Sequence, residues 1–271
     1  MADRNLSTYF RGGRFSTREG MILELPPSGF DWGGNVRPVE DPFTTNETVQ
    51  KYPLGSKLIY GERWFRYSKA GATALVAGNV LQSSVFEAQH LTRALDVPAI
   101  GATVVNVTLG TVAVVADEYQ DGYFIQDAGA TGAGYLYRIK SHPVIALSTA
   151  GNFTLVDPIV VAIPAAGTGS LLRSPYRGVL QAVVTTPTAH ITGVAQSVIT
   201  GASFGWIQTH GPASVLTEGT VLVQNPVTGT TGTAGAVGPI TVADVLKETI
   251  VGFVLSVGAD DTWSTIFLTI E

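Results

Sequence analysis

The residues best placed to do chemistry lie in Gly201-Ala-Ser-Phe-Gly205, which matches the Gly-x-Ser-x-Gly pattern of a nucleophile elbow. Such an elbow needs a strand before the serine and a helix after it, so that the hydroxyl stands exposed at a sharp turn. Here Trp206-Ile-Gln208 follows and reads as a strand. The order Ser, then acid, then His also fails: no acid lies between Ser203 and His210, and no His follows His210. The segment is read as a glycine-flanked turn.

Other candidates are sparse. His90, His142, His190 and His210 show no i,i+4 or His-x-His spacing, and the chain has no Cys, so no metal site is expected. Asp117-Glu118 with Asp121 lacks the alternating loop and distal Glu of a calcium site and reads as a solvated turn, as does Asp260-Asp261. The run from Gly129 to Gly134 has neither the Lys-Ser/Thr ending nor the following helix of a phosphate loop, and reads as a hairpin tip. The Gly/Thr-rich run from Thr228 to Gly238 reads as an exposed loop tip. Trp64, Phe65, Tyr67, Tyr123, Phe124 and Trp206 are members of a possible glycan platform, although strand aromatics more often fill a core. A glycosidase would need two carboxylates roughly 5–10 Å apart. Asp157 and Glu218 are the one pair with a logic, as matching turns of a repeat described below. No cofactor and no catalytic residue is expected.

Composition points away from a free-standing monomer. Only 14% of residues are charged, against about 25% in an average soluble chain. Between Ser141 and Ala243 the charged side chains are Asp157, Arg173, Arg177 and Glu218 alone. Gly, Thr, Ser, Pro and Gln interrupt every apolar run there before the roughly 18–20 residues needed to span a membrane. Such a surface is expected to be covered by neighbours in an assembly. A net charge of −5 gives no bulk attraction to nucleic acid. Met1-Ala-Asp-Arg lacks an apolar core, so no secretory signal is read.

The elements that must carry these residues are strands. Gly and Pro punctuation with abundant Thr and Val predicts an all-β chain with turns every 8–15 residues. Lys57–Tyr60, a Gly61-Glu62 turn and Arg63–Tyr67 read as a hairpin. Further strands are expected at 103–109, 111–115, 122–126, 135–139, 158–163, 179–184, 191–194, 204–208, 220–224, 249–257 and 262–270. Val80–Leu95 is the best helix candidate, with imperfect apolar spacing, and Val242–Glu248 a short helical turn.

Residues 1–45 show neither a 3.6 nor a 2.0 period. Their aromatics argue against a disordered tail. They are read as an extended arm that docks on a neighbour, with Arg4, Tyr9, Phe10, Arg11, Arg14, Phe15, Arg18, Phe30 and Trp32 as its contacts. Gly122-Tyr-Phe-Ile-Gln resembles Gly205-Trp-Ile-Gln, and Leu155-Val-Asp resembles Leu216-Thr-Glu. The repeat predicts two tandem β-sandwich or β-barrel-like modules, at 46–165 and 166–271, joined by a short linker at Ala165–Gly169.

Three segments resemble tailed-bacteriophage capsid decoration (cement) or related head structural proteins. They are Tyr52–Lys57 through Glu62–Gly71 with Leu75–Leu81; Ala116–Phe124; and Gly205–Gly211 with Ile250–Leu255 and Ile266–Ile270. None carries a catalytic motif, and the resemblance assigns no functional residue. It implies a non-enzymatic protein on the outer surface of the virion, bound to the major capsid protein. A homo-oligomer, dimer or trimer, follows from virion symmetry, with no nucleic acid or membrane as direct partner. The alternative is a receptor- or glycan-binding module of a head or tail fibre. A long spine helix, which a major capsid protein would need, is not legible.

Overall fold

The computed structural model describes residues 13–16, 20–26, 41–129, 131–183, 188–230, 232–240 and 249–271. Strands dominate it: β1 (Gly13–Ser16), β2 (Ile22–Leu25), β3 (Lys57–Tyr60), β4 (Arg63–Ala70), β5 (Val80–Gln82), β6 (Arg93–Ala94), β7 (Val104–Thr108), β8 (Tyr123–Ala128) and β9 (Leu136–Ser141). The second half adds β10 (Ala150–Leu155), β11 (Thr168–Leu172), β12 (Arg177–Gln181), β13 (Ile191–Ala195), β14 (Phe204–Thr217), β15 (Pro226–Gly229), β16 (Val237–Pro239), β17 (Gly252–Ser256) and β18 (Thr262–Thr269). Among the described residues no helix is long and apolar enough to cross a membrane.

The chain forms two compact units. One is built on the continuous segment Phe86–Ser174. The other draws on β1 and β2, on residues 41–85 and on Pro175–Glu271. In chain order the first unit therefore interrupts the second, where the sequence predicted a tandem pair. The expected linker at Ala165–Gly169 instead holds a turn closed by Gly167 N–H on Pro164 O at 2.8 Å, followed directly by β11. Because β11 pairs with both β6 and β8, its backbone groups are satisfied inside the inserted unit.

The inserted unit is a six-stranded sheet ordered β6-β11-β8-β9-β10-β7. Its ends meet at the bridge Leu95↔Val107, which nearly closes a barrel. Val105, Val107, Phe124, Ile139, Phe153 and Leu171 fill it. The alternation in Val104–Thr108 follows from the two-residue period of a strand: Val105 and Val107 point in, Val104 and Thr108 out.

The other unit turns on β14. Its first half pairs with β4 and β13, its second half with β18 and β16. The strands β4, β12, β5, β13 and β14 thereby close one ring (ring A), and β14, β16, β15, β17 and β18 close a second (ring B). Leu75, Leu81, Val179, Ile199 and Ile207 fill ring A. Val215, Val227, Val237, Val254, Ile266 and Leu268 fill ring B. The strand changes rings at Gly211, whose φ is +83° and where a Cβ would lie 2.5 Å from Glu62 O, so only glycine fits the bend.

Other expectations need correction as well. The expected strands at 111–115, 158–163 and 220–224 do not form, and Val114 makes only an isolated bridge. The reading of 1–45 as an arm without periodicity overlooked Met21-Ile-Leu-Glu-Leu25. Met21, Leu23 and Leu25 alternate into the core, and β2 joins β1 to the β3–β4 hairpin. Val80–Leu95 is not a helix. Val80, Leu81 and Gln82 are all buried in β5 between β12 and β13, and Ala88–His90 forms a single 3₁₀ turn. A run buried on both faces has lost the one-sided pattern that tells helix from strand. The Lys57–Tyr67 hairpin forms as expected, with Tyr60 opposite Arg63. Val242–Glu248 lies outside the described residues.

Candidate functional site

The feature that recurs across the molecule is a corner. Leu75, Val114, Ile145, Ile199 and Val221 are buried aliphatic anchors. Three residues after each, the backbone turns left-handed, at Gly78 (φ 82°), Asp117 (56°), Ser148 (54°), Ala202 (61°) and Gln224 (68°). The amide four residues after the anchor closes most of these turns onto the carbonyl one residue after it. These bonds are Asn79→Val76 at 3.2 Å, Glu118→Val115 at 3.3 Å, Ser203→Thr200 at 3.0 Å and Asn225→Leu222 at 3.0 Å. In the Ile145 corner the Thr149 hydroxyl donates to Ala146 O at 2.7 Å instead.

Four of these corners work in two equivalent pairs. In ring A, Leu75 and Ile199 exchange both backbone hydrogen bonds, at 2.8 and 3.2 Å. In the inserted barrel Val114 and Ile145 do the same, at 3.0 and 3.1 Å. Ala202 N–H donates to Gly71 O at 2.6 Å, and its counterpart Ser148 N–H to Gly110 O at 2.7 Å. Ala70 N–H donates to Ser203 O at 2.9 Å, matched by Leu109 N–H to Thr149 O at 3.0 Å. Six residues after each isoleucine stands a glycine, Gly205 or Gly151. A Cβ there would fall 2.7 Å from the Ile199 Cδ1 or 2.2 Å from the Ile145 Cδ1. The equivalence thus joins Ile145–Gly151 to Ile199–Gly205, whereas the sequence comparison had paired Gly122 with Gly205.

The corners present apolar groups to solvent at matching positions. The residue after one anchor is an exposed valine in both pairs, Val76 (45%) and Val115 (66%). The residue before the facing anchor is another, Val198 (56%) and Val144 (69%). Val144 borders a shallow cleft of about 290 Å³ that Asn106, Thr149 and Asn152 also line.

The polar groups singled out by sequence are engaged in building these corners and cores. Ser203 is buried within a corner and leads into a strand. His90 Nε2 lies 2.9 Å from Val112 O and so carries the proton, leaving Nδ1 to accept from the Tyr119 hydroxyl at 2.5 Å. His142 donates from Nδ1 to Pro143 O at 2.8 Å and accepts Tyr119 N–H at Nε2 at 2.9 Å. Burial raises the Tyr119 phenol above its ordinary pKa, against an opposing pull from Arg173. His210 stacks on Trp64 at 4.3 Å, and its Nδ1 lies 2.9 Å from Glu271 O. His190 is exposed.

The acidic turn is not simply solvated. Asp117 accepts His142 N–H at 3.0 Å, Glu118 accepts Arg173 Nε at 3.0 Å, and buried Asp121 lies 3.4 Å from Arg138. Asp260 accepts Gly219 N–H at 2.6 Å. Asp157 and Glu218 fall in different units, and Glu218 accepts Thr233 N–H at 2.8 Å. Among the described residues no group of three His, Asp or Glu is placed to hold a metal.

Of the aromatic platform, Phe65, Tyr67, Phe124 and Trp206 are fully buried core residues, leaving Trp64 and Tyr123 partly exposed. Residues 129 and 131–134 lie at the tip between β8 and β9, where Gln126 Nε2 donates to Thr131 O at 2.7 Å. The described residues of the run at 228–238 are less exposed than expected, since Gly235 and Ala236 are buried and Gly235 bonds Val80 and Ala182.

Of the expected arm contacts, Arg14 lies on β1 with its Nε 3.2 Å from Glu24, an exposed pair within the same chain. Phe15 lies on β1 as well. Arg4, Tyr9, Phe10, Arg11, Arg18, Phe30 and Trp32 lie outside the described residues. Val115 closed an expected strand at 111–115, where only the Val114 bridge forms, and Val76, Val144 and Val198 lie outside every expected strand, so their place in corners was missed. The signal available was the repeated Ile-x5-Gly spacing.

Comparison with protein-family models, curated proteins and solved structures gave no match.

Proposed function

We propose that the chain is a non-enzymatic virion structural protein, a capsid decoration (cement) protein of a tailed bacteriophage. In this reading it sits on the outer surface of the head, binds the major capsid protein and stabilises the DNA-filled shell. The observation that carries the proposal is the duplicated corner, with exposed valines at the same two positions in both units. A single exposed valine needs no explanation. The same pair held by the same hydrogen bonds in two units suits a partner that presents the same uncharged surface repeatedly, as a shell lattice does. Weak contacts repeated on one chain add through effective concentration, so no single strong site is required. The virion-like segments and the low charge support the same reading, and the structural engagement of the polar groups supports a non-enzymatic role.

The test is labelling of intact particles with an antibody to the chain, together with the heat at which DNA-filled heads rupture. Label over the head surface, and heads that rupture at lower temperature without the protein, are expected. Label at the tail tip would move the assignment to a fibre module, and particles without label would overturn the virion reading. Replacing Val76, Val115, Val144 and Val198 with serine is expected to lower head occupancy while leaving the melting of the free protein nearly unchanged.

A further inference from the structure

We propose that the outer face of ring B is the surface through which two copies of this chain associate. Side chains alternate along each strand, so the outward set is read from register. Pro226, Phe253, Phe267 and Pro212 form one row across β15, β17, β18 and β14. The next outward row, Ser214, Thr265 and Ser256, is polar but uncharged, with exposed Leu255 beside it at the bulge of β17, and the row beyond pairs Leu216 with Trp263. No Asp, Glu, Lys or Arg occupies an outward position of these strands. Among the described residues the charged groups near these strands stand at their ends: Glu218 after β14, Asp260 and Asp261 in the β17–β18 turn, and the Arg66–Glu271 pair beyond β18.

The extent of this face fits a second copy. Phe253, Leu255 and Trp263 expose on the order of 300 Å² on this face, and the half-buried Pro212, Leu216, Pro226 and Phe267 add to it. A standard interface buries about 800 Å² per partner, roughly 60% of it apolar, which requires about 500 Å². Charge points the same way. Two chains of net charge −5 repel over most of their surfaces, and this face is where they meet without opposing carboxylates. An apolar centre with charges confined to the rim is the usual anatomy of such a contact.

The anchors are also held in place before contact. The Trp263 indole lies over Gly78, where a Cβ would come within 2.3 Å of its Nε1. Phe267 meets His210 edge to face at 5.2 Å, and His210 is itself stacked on Trp64. Less side-chain freedom is therefore lost on association.

The proposal deepens the assembly reading above, and its test separates the two. Sedimentation velocity of the full chain over two decades of micromolar concentration is expected to show a dimer or a closed oligomer. Phe253→Lys and, independently, Leu255→Lys are each expected to weaken association roughly tenfold or more, with melting and near-ultraviolet circular dichroism retained. Val97→Lys, at an exposed position of the inserted unit, is expected to leave association intact. A wild-type chain that stays monomeric, or folded variants that associate as wild type does, would overturn the proposal. If both lysine variants misfold, Trp263→Ser decides by the same measurement. Association without label on virions would keep this face and discard the virion reading, and labelled heads carrying a monomeric chain would do the reverse.

Discussion

The corner around Ile145 in the inserted barrel and the corner around Ile199 in ring A share backbone hydrogen bonds, a left-handed residue and a glycine seat, yet their surroundings differ. Near Ile145 the barrel encloses His90, Tyr119 and His142, tied together by hydrogen bonds, with Asp117 and Glu118 capping the paired turn. The buried cluster of ring A is aliphatic, with the partly buried Tyr176 packed against it. The difference teaches that the backbone and the isoleucine on its glycine define this corner, while the chemistry behind it is free to vary. It also places pH-sensitive groups in different parts of the chain.

The comparison breaks most forcefully at the anchors. Ile199→Ala and Ile145→Ala are each expected to cost about 2–5 kcal/mol, since both remove a buried side chain that its glycine partner cannot replace. Hydrogen exchange read separately for the two units should show each loss confined to its own unit. Equal losses in both units from one substitution would mean that the units unfold together.

A next contrast uses pH. Burial raises the Tyr119 pKa in the folded barrel, so the unfolded chain releases that proton first. The barrel is expected to hold full stability below about pH 10, the ordinary phenol value, and to lose it as pH rises further. Glu271 behaves in the opposite sense. Burial pushes its carboxyl up, but the two Arg66 Nε contacts at 2.9 and 3.0 Å and the Arg66 charge outweigh this and hold it below 4.5. The stability it lends β18 is present above about pH 4.5 and is lost as pH falls through the folded value. Melting followed by exchange at β8 and at β18 should show alkaline loss in the first and acid loss in the second. Tyr119→Phe and Glu271→Gln should remove the respective slopes.

The smallest effect sharpens the likeness. Ser148 and Ala202 occupy equivalent left-handed positions, which disfavour any residue with a Cβ by roughly 1–2 kcal/mol. Ser148→Gly and Ala202→Gly are expected to stabilise by up to about 1 kcal/mol each, after the entropy glycine adds to the unfolded chain. Denaturant melts would show it, and a loss at either position would mean that its side chain holds the turn.

These positions also explain what was legible in the sequence. Local signals worked where they were local: Lys57–Tyr67 is a hairpin because Gly61 sits between two β-rich runs, and the all-β class follows from composition. The corners escaped because Asp117, Ser148, Ala202 and Gln224 fill conformations that glycine usually marks. The nesting of the units escaped because β12 finds β4 and β5 across the whole inserted segment, and no local pattern records such a pairing. Among the candidate residues, Ser203 was correctly read as a turn from its neighbours alone. The exposed valines had no period to reveal them.

The interruption of ring A also sets a schedule for synthesis. Ser84 Oγ donates to Arg177 O at 3.2 Å, so the two ends of the interruption meet beside each other in the finished molecule. As the ribosome proceeds, β4 and β5 emerge early, but β12, β13 and β14 follow only after the whole barrel. The barrel, contiguous in the chain, has all its partners before ring A has any of its last three strands. Until then both edges of β5, and the edge of β4 that β3 does not cover, stay unpaired, and the nascent chain carries open strand edges for as long as the ribosome takes to make the barrel.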